Sequence, residues 1–128
     1  MITITRPALL AELVERLDAA AASAGDGLAA AVWRPGQRTP IHDHIAWCVV
    51  GVHRGVEHEI RYRLVDDHLV EDGHTVGAHG SVTVLTPPGD IHAVVNDSDV
   101  VAVSLHVYGA DLRERRTSVR RCYRMPVR

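Results

Sequence analysis

Residues 36–55 read GQRTPIHDHIAWCVVGVHRG, and the pair at its centre, His42 and His44, decides how the rest is read. The spacing predicts a short strand over Ile41–His44, on which residues two apart project from the same face, so the two imidazoles stand side by side in chelating geometry. Cys48 has the same parity and is expected to face the same space. His92 follows about fifty residues later, directly after the turn residues Pro87-Pro88-Gly89-Asp90. A closed sheet that folds back on itself would bring it opposite the pair. Three neutral imidazoles on one face of a divalent metal leave positions open for substrate or oxygen. A His-x-His pair taken alone is a weak signal, more often two satisfied strand histidines than a metal site.

Working outward, turn chemistry at Pro35-Gly36, Asp66-Asp67, Asp72-Gly73, Pro87–Asp90 and Asn96-Asp97 separates short apolar or alternating runs. Expected strands are Leu28–Trp33, Ile41–His44, Cys48–Val52, Val56–Val65, His68–Glu71, Ser81–Leu85, His92–Asn96 and Val100–Tyr108. Within Val56–Val65 the even positions Val56, His58, Ile60, Tyr62 and Leu64 are expected to face a core, and Glu57, Glu59, Arg61 and Arg63 to face water. Upstream, Leu9, Leu10, Leu13 and Leu17 recur at helical spacing, predicting one amphipathic helix over residues 7–22. Eight short strands after one helix point to an all-β chain, a small barrel or jelly roll over residues 28–108, with an Arg-rich segment at 109–128.

Composition narrows the chemistry. The chain of 128 residues, 46% apolar and 23% charged, fits one domain. Sixteen acidic against fourteen basic residues give a formal charge of −2, which argues against a nucleic-acid or anionic-membrane partner. No apolar run approaches the roughly 20 residues of a membrane span, and the N-terminus lacks a signal pattern, so a soluble cytoplasmic protein is expected. All fourteen basic residues are arginine, which removes Schiff-base catalysis, pyridoxal phosphate anchoring and a Walker-type loop. Nine histidines are a large number for metal ligation or proton transfer. Two cysteines, Cys48 and Cys122, form no disulfide framework.

The two histidine segments resemble the cupin superfamily. Its first motif is matched by Gly36, five residues, His42-Asp43-His44, three residues, then Cys48 where cupins carry a glutamate, six residues and Gly55. The second is matched by Pro87-Pro88-Gly89, two residues, His92, three residues and Asn96, with the leading glycine one place early at Gly80. The resemblance covers about half the chain. It implies a cupin barrel, a double-stranded β-helix, holding one metal ion on His42, His44 and His92.

Without the acidic ligand, three neutral histidines leave the full +2 of the ion, which favours an anionic ligand such as a thiolate. In this the sequence is similar to the thiol dioxygenases, the group of cysteine dioxygenase and 3-mercaptopropionate dioxygenase. Ser104, His106 and Tyr108 share a strand face and look like that group's outer hydrogen-bonded triad. The resemblance implies one Fe(2+) per chain, with nickel, manganese or zinc also compatible with the ligand set. It implies a small carboxylate-bearing thiol and O2 as substrates and a sulfinic acid as product. Tyr108 would donate a hydrogen bond to oxygen or substrate, poised by His106 and Ser104. In animal-type members a cysteine at the place of Cys48 forms a thioether with the triad tyrosine; here the preceding loop is one residue shorter.

The animal group's upstream Tyr-x-Arg is missing. By similarity to 3-mercaptopropionate-type enzymes, Arg116, with Arg115 next, is expected to hold the substrate carboxylate. Read as residues alone, the seven arginines among positions 113–128 also suit a solvated basic tail. Trp47 beside Cys48 is expected to shape the pocket, and Trp33 to be a core or cavity-wall aromatic. Cys122, among arginines, is either a low-pKa thiol or an incidental one. His53, His58, His68, His74 and His79 are expected on the surface or barrel wall, His58 alone with inward parity. Two other readings stand beside the dioxygenase. One is a non-enzymatic cupin that senses or stores a small acid. The other is a different cupin enzyme, such as a ring-cleaving dioxygenase, an isomerase or a thiol oxygenase whose product goes beyond the sulfinate. Monomer and homodimer are both compatible with the sequence.

Overall fold

The computed structural model describes residues 28–109 and 117–128. The helix expected over residues 7–22 and Arg113, Arg115 and Arg116 lie outside the described residues. Nine strands are described: β1 (Leu28–Trp33), β2 (His42–His44), β3 (Cys48–Arg54), β4 (Val56–Val65), β5 (His68–Ala78), β6 (Val82–Leu85), β7 (His92–Val95), β8 (Ala102–Tyr108) and β9 (Val119–Cys122). They form two antiparallel sheets, one of four strands in the order β1-β8-β3-β6 and one of five in the order β5-β4-β7-β2-β9. Among the described residues no helix is long and apolar enough to cross a membrane.

Two differences from the expected strands have local causes. Asp72-Gly73 is not a turn, because β5 runs on to Ala78 and absorbs an extra residue as a bulge opposite Arg61 and Tyr62. Gly73 takes φ +140 there, which fits a glycine at a bulge. The Arg-rich tail is not simply solvated, because β9 pairs along β2 and completes the five-stranded sheet. At the β3–β4 turn Gly55 takes φ +73, and a Cβ on it would stand 2.8 Å from the Ala102 Cα, so the turn can close only on glycine.

β4 reverses the expected parity. Glu57 and Glu59 point inward and are only 6% and 9% exposed, whereas His58 and Ile60 lie on the outer face. The outer apolar set is still covered, since Ile60 and Tyr62 pack with Leu69, Ile91, Ala93, Tyr123, Ile41 and Met125. The C-terminal residues seal this seam: Leu69 N–H donates to the Pro126 carbonyl at 2.9 Å and Arg128 N–H to the Leu69 carbonyl at 2.9 Å. Alternation reported the two faces correctly but not which of them lined the barrel. A tail crossing the outside makes an outer face apolar.

Candidate metal centre

Between the sheets lies a cavity of about 360 Å³. Its walls are Ala29, Ala31 and Trp33 of β1, Cys48 and Val50 of β3, His106 and Tyr108 of β8, and His42, His44 and His92 of β2 and β7, closed by Thr117–Val119 and Cys122. Apart from the imidazoles, no ionisable nitrogen or carboxylate is among these walls in the described residues. His42 and His92 are directly opposed Cα partners, and His44 follows two places along β2. The period-2 spacing therefore delivers three rings to one point: centroids lie 4.8, 4.7 and 5.2 Å apart, and one nitrogen from each falls within 4.8 Å of the others.

Each ring's other nitrogen faces a partner. His42 Nδ1 lies 2.8 Å from the Pro40 carbonyl. His44 Nδ1 lies 3.0 Å from Asp90 Oδ2, which also accepts the His44 backbone N–H at 3.1 Å. His92 Nδ1 stands 3.4 Å from Glu59 Oε1. Pro40 and Asp90 keep the Nδ1 protons of His42 and His44 in place and leave their Nε2 lone pairs for a cation, the arrangement in which outer partners orient metal-bound histidines, while Glu59 stands beside His92 at ion-pair distance without a hydrogen bond. The donor set therefore fits a divalent metal. Burial pushes the His42 pKa down to about 4, helped by the neighbouring rings, and burial likewise lowers His44. Neutral rings are the form a metal needs. Burial raises the Glu59 carboxyl, but the facing His92 and Arg61 outweigh it and hold it below its ordinary value.

Beside this cluster runs a hydrogen-bonded line. Trp33 Nε1 donates to Ser104 Oγ at 3.1 Å, Ser104 Oγ lies 2.7 Å from His106 Nε2, and His106 Nδ1 lies 3.2 Å from the Tyr108 hydroxyl. The Tyr108 ring lies 6.2 Å from that of His44. Burial lowers the His106 pKa to about 4 and raises the Tyr108 phenol, so both are neutral at pH 7. Cys48 is the Cα partner of Tyr108, and cross-strand partners share a face. Its thiol is free, 1% exposed, and pushed by burial up to about 12.

The expected residues thus divide. His42, His44, His92, Ser104, His106, Tyr108 and Cys48 come together. Trp47 does not line the cavity; it is 37% exposed, because its neighbour Cys48 points inward and adjacent strand residues alternate. Trp33 takes the wall position instead. Arg120 and Arg121 turn away: Arg120 Nε donates to Asp43 Oδ2 at 3.1 Å, and Arg121 stacks 4.4 Å over the Tyr123 ring. Cys122 reaches the cavity rim although exposed. His58 lies outside, not inside, for the reason given for β4. Sequence reasoning missed Asp90 and Glu59 as partners of the rings. Asp90 stands two residues before His92 and was legible only as a turn residue, and Glu59 was placed on the wrong face.

No protein-family model matches the chain. Solved structures do. The Drosophila melanogaster CENP-C cupin domain is 15% identical with TM-score 0.54, over 66% of this chain and 61% of that one. A Cupin 2 conserved barrel domain protein from Salinispora arenicola is 23% identical with TM-score 0.51, over 67% and 63%. Oxalate oxidase in complex with the substrate analogue glycolate is 19% identical with TM-score 0.51, over 69% and 53%. The alignments span 65%, 61%, 59% and 63% of the first four solved chains. At such identities the likeness establishes the fold, a cupin barrel.

Proposed function

We propose that the chain is a mononuclear non-haem iron thiol dioxygenase, converting a small carboxylate-bearing thiol and O2 to the sulfinic acid. The observation that carries this reading is the Trp33–Ser104–His106–Tyr108 hydrogen-bonded line ending beside three imidazoles, with Cys48 where cupins place a carboxylate ligand. Iron(II) held by His42, His44 and His92 would supply the redox chemistry that couples dioxygen to a thiolate sulfur. The balance is RSH + O2 → RSO2H, so both oxygen atoms reach sulfur and no external reductant enters.

The chain's own residues do the rest. Three neutral ligands would put no anionic donor on the ion itself, leaving that place to a substrate thiolate, while the apolar walls Ala29, Ala31, Val50 and Leu85 exclude water. Trp33 can only donate, so it takes a lone pair of Ser104. Ser104 passes its proton toward His106 Nε2, and His106 Nδ1–H donates to the Tyr108 oxygen. That order leaves the Tyr108 proton free for the reacting group. Tyr108 and Thr117, which flank residues 110–116, both line the cavity. Arg116, with Arg115 beside it, is assigned to the substrate carboxylate, a contact of about 1.5–3 kcal/mol.

The test is oxygen uptake by the iron(II)-loaded protein across a panel of small thiols, followed by mass analysis of the product under labelled dioxygen. Two labelled atoms on sulfur are expected, with a lowered kcat for Tyr108→Phe and a raised KM for Arg116→Ala. Metal retention without uptake for any thiol would overturn the dioxygenase reading and leave a metal-dependent binding protein.

A further inference from the structure

A second histidine cluster lies on the outer face of the five-stranded sheet, on the opposite side of β4 from Glu59. His74 of β5 is the Cα partner of Ile60, two residues from His58. The two rings therefore sit diagonally on one face, centroids 5.1 Å apart. His58 Nδ1 lies 2.9 Å from Asp97 Oδ2, His74 Nε2 lies 3.0 Å from Glu71 Oε2, and the inner nitrogens, His58 Nε2 and His74 Nδ1, face each other at 2.9 Å. The side chains are between 21% and 58% exposed, so solvent ions reach them.

A carboxylate only accepts hydrogen bonds, so both outer nitrogens carry their protons toward Asp97 and Glu71. The inner nitrogens then face each other across 2.9 Å, a contact closed either by one shared proton, as a hydrogen bond, or by a metal ion lying to one side of the line between them. The surroundings match the metal in charge, because Asp97 and Glu71 together contribute −2 against the +2 of a divalent cation. They also supply the carboxylate–histidine–metal arrangement that fixes ligand rings. We infer that His58 Nε2 and His74 Nδ1 form a surface site for a divalent transition metal, separate from the barrel centre. Two imidazole nitrogens suit Cu(II), Ni(II) or Zn(II), of which Cu(II) binds such a pair most tightly by the Irving–Williams order, and the remaining positions are open to water or to a donor from another molecule.

Cu(II) titration of the untagged, intact chain, followed by equilibrium dialysis and electron paramagnetic resonance, tests this. Wild type is expected to take up one equivalent more than His74→Gln or His58→Gln. The outer equivalent should persist in His44→Ala, which separates this site from the barrel. Asp97→Asn is expected to weaken the outer equivalent about 10-fold, as removal of an outer partner does. Equal stoichiometry and affinity in wild type and both glutamine variants would overturn the site, whatever the barrel does.

Discussion

The two faces of the five-stranded sheet are built on opposite plans. Its inner face carries His42, His44, His92, Glu57 and Glu59, all buried, while its outer face carries the apolar seam of Ile60, Tyr62, Leu69, Ile91 and Ala93 under the C-terminal tail. β2 shows the contrast within three residues. His42 and His44 enter the cavity, and Asp43 between them faces outward, where it accepts hydrogen bonds from Arg120 and from Tyr123 at 2.9 Å. Burial would raise the Asp43 carboxyl, but these bonds and the charges of Arg120 and Arg121 hold it below its ordinary value. On this sheet an apolar seam thus lies outside the barrel and the candidate ligands inside it. Polar groups in the interior cost free energy unless partnered, and among the described residues Glu57 Oε1 and Glu59 Oε1 have no hydrogen-bond partner.

The division can be broken from either side. The largest expected effect is on the inner face: His44→Ala should lower metal affinity by more than about 100-fold, beyond the loss expected for an outer partner. Its thermal unfolding without metal should change little, as metal analysis and calorimetry will show. On the outer face Leu69, fully buried, gives the converse: Leu69→Ala should cost about 2–5 kcal/mol of stability, read by denaturant unfolding, with metal stoichiometry at 25 °C unchanged. Should both variants lose metal and stability together, the faces are not independent.

The pH dependence sharpens the comparison. His42 and His106 have folded pKa values depressed by burial to about 4 from 6.5. The metal-free fold therefore holds fewer protons than the unfolded chain, its stability is complete above about pH 6.5, and it falls as pH drops toward 4. His106→Gln should flatten that acid limb in unfolding curves taken at several pH values. The smallest effect is expected at the outer partners of the rings. Glu59→Gln and Asp90→Asn should each weaken metal binding by about 10–100-fold while leaving the overall fold intact, measured by competition with a chelator.

Much of the centre was legible because its determinants are local. His42 and His44 are two apart, so any strand puts them on one face, and Ser104, His106 and Tyr108 follow the same rule on β8. The turn before His92 and the glycine at position 55 mark where the chain reverses. The expected helix over residues 7–22 and the role of Arg116 and Arg115 lie outside the described residues. Cys48 was expected inward as part of a continuous parity with His44, and it is inward for another reason: the chain changes sheets between β2 and β3.

What the sequence determined by itself was periodicity, which residues share a face and where most turns fall; that three imidazoles with a Ser-His-Tyr face belong to one barrel was implied by the resemblance to cupins. What only the tertiary structure decided was which face is the inside. Alternation is symmetric, so β4 reads equally well with Ile60 and Tyr62 or with Glu57 and Glu59 toward the cavity. The choice is made by a distant segment, since residues 123–128 lie across the outer face and bury it. The partners Glu59 for His92, Asp43 for Arg120 and Cys48 for Tyr108 arise from long-range strand pairing, which spacing along the chain does not encode.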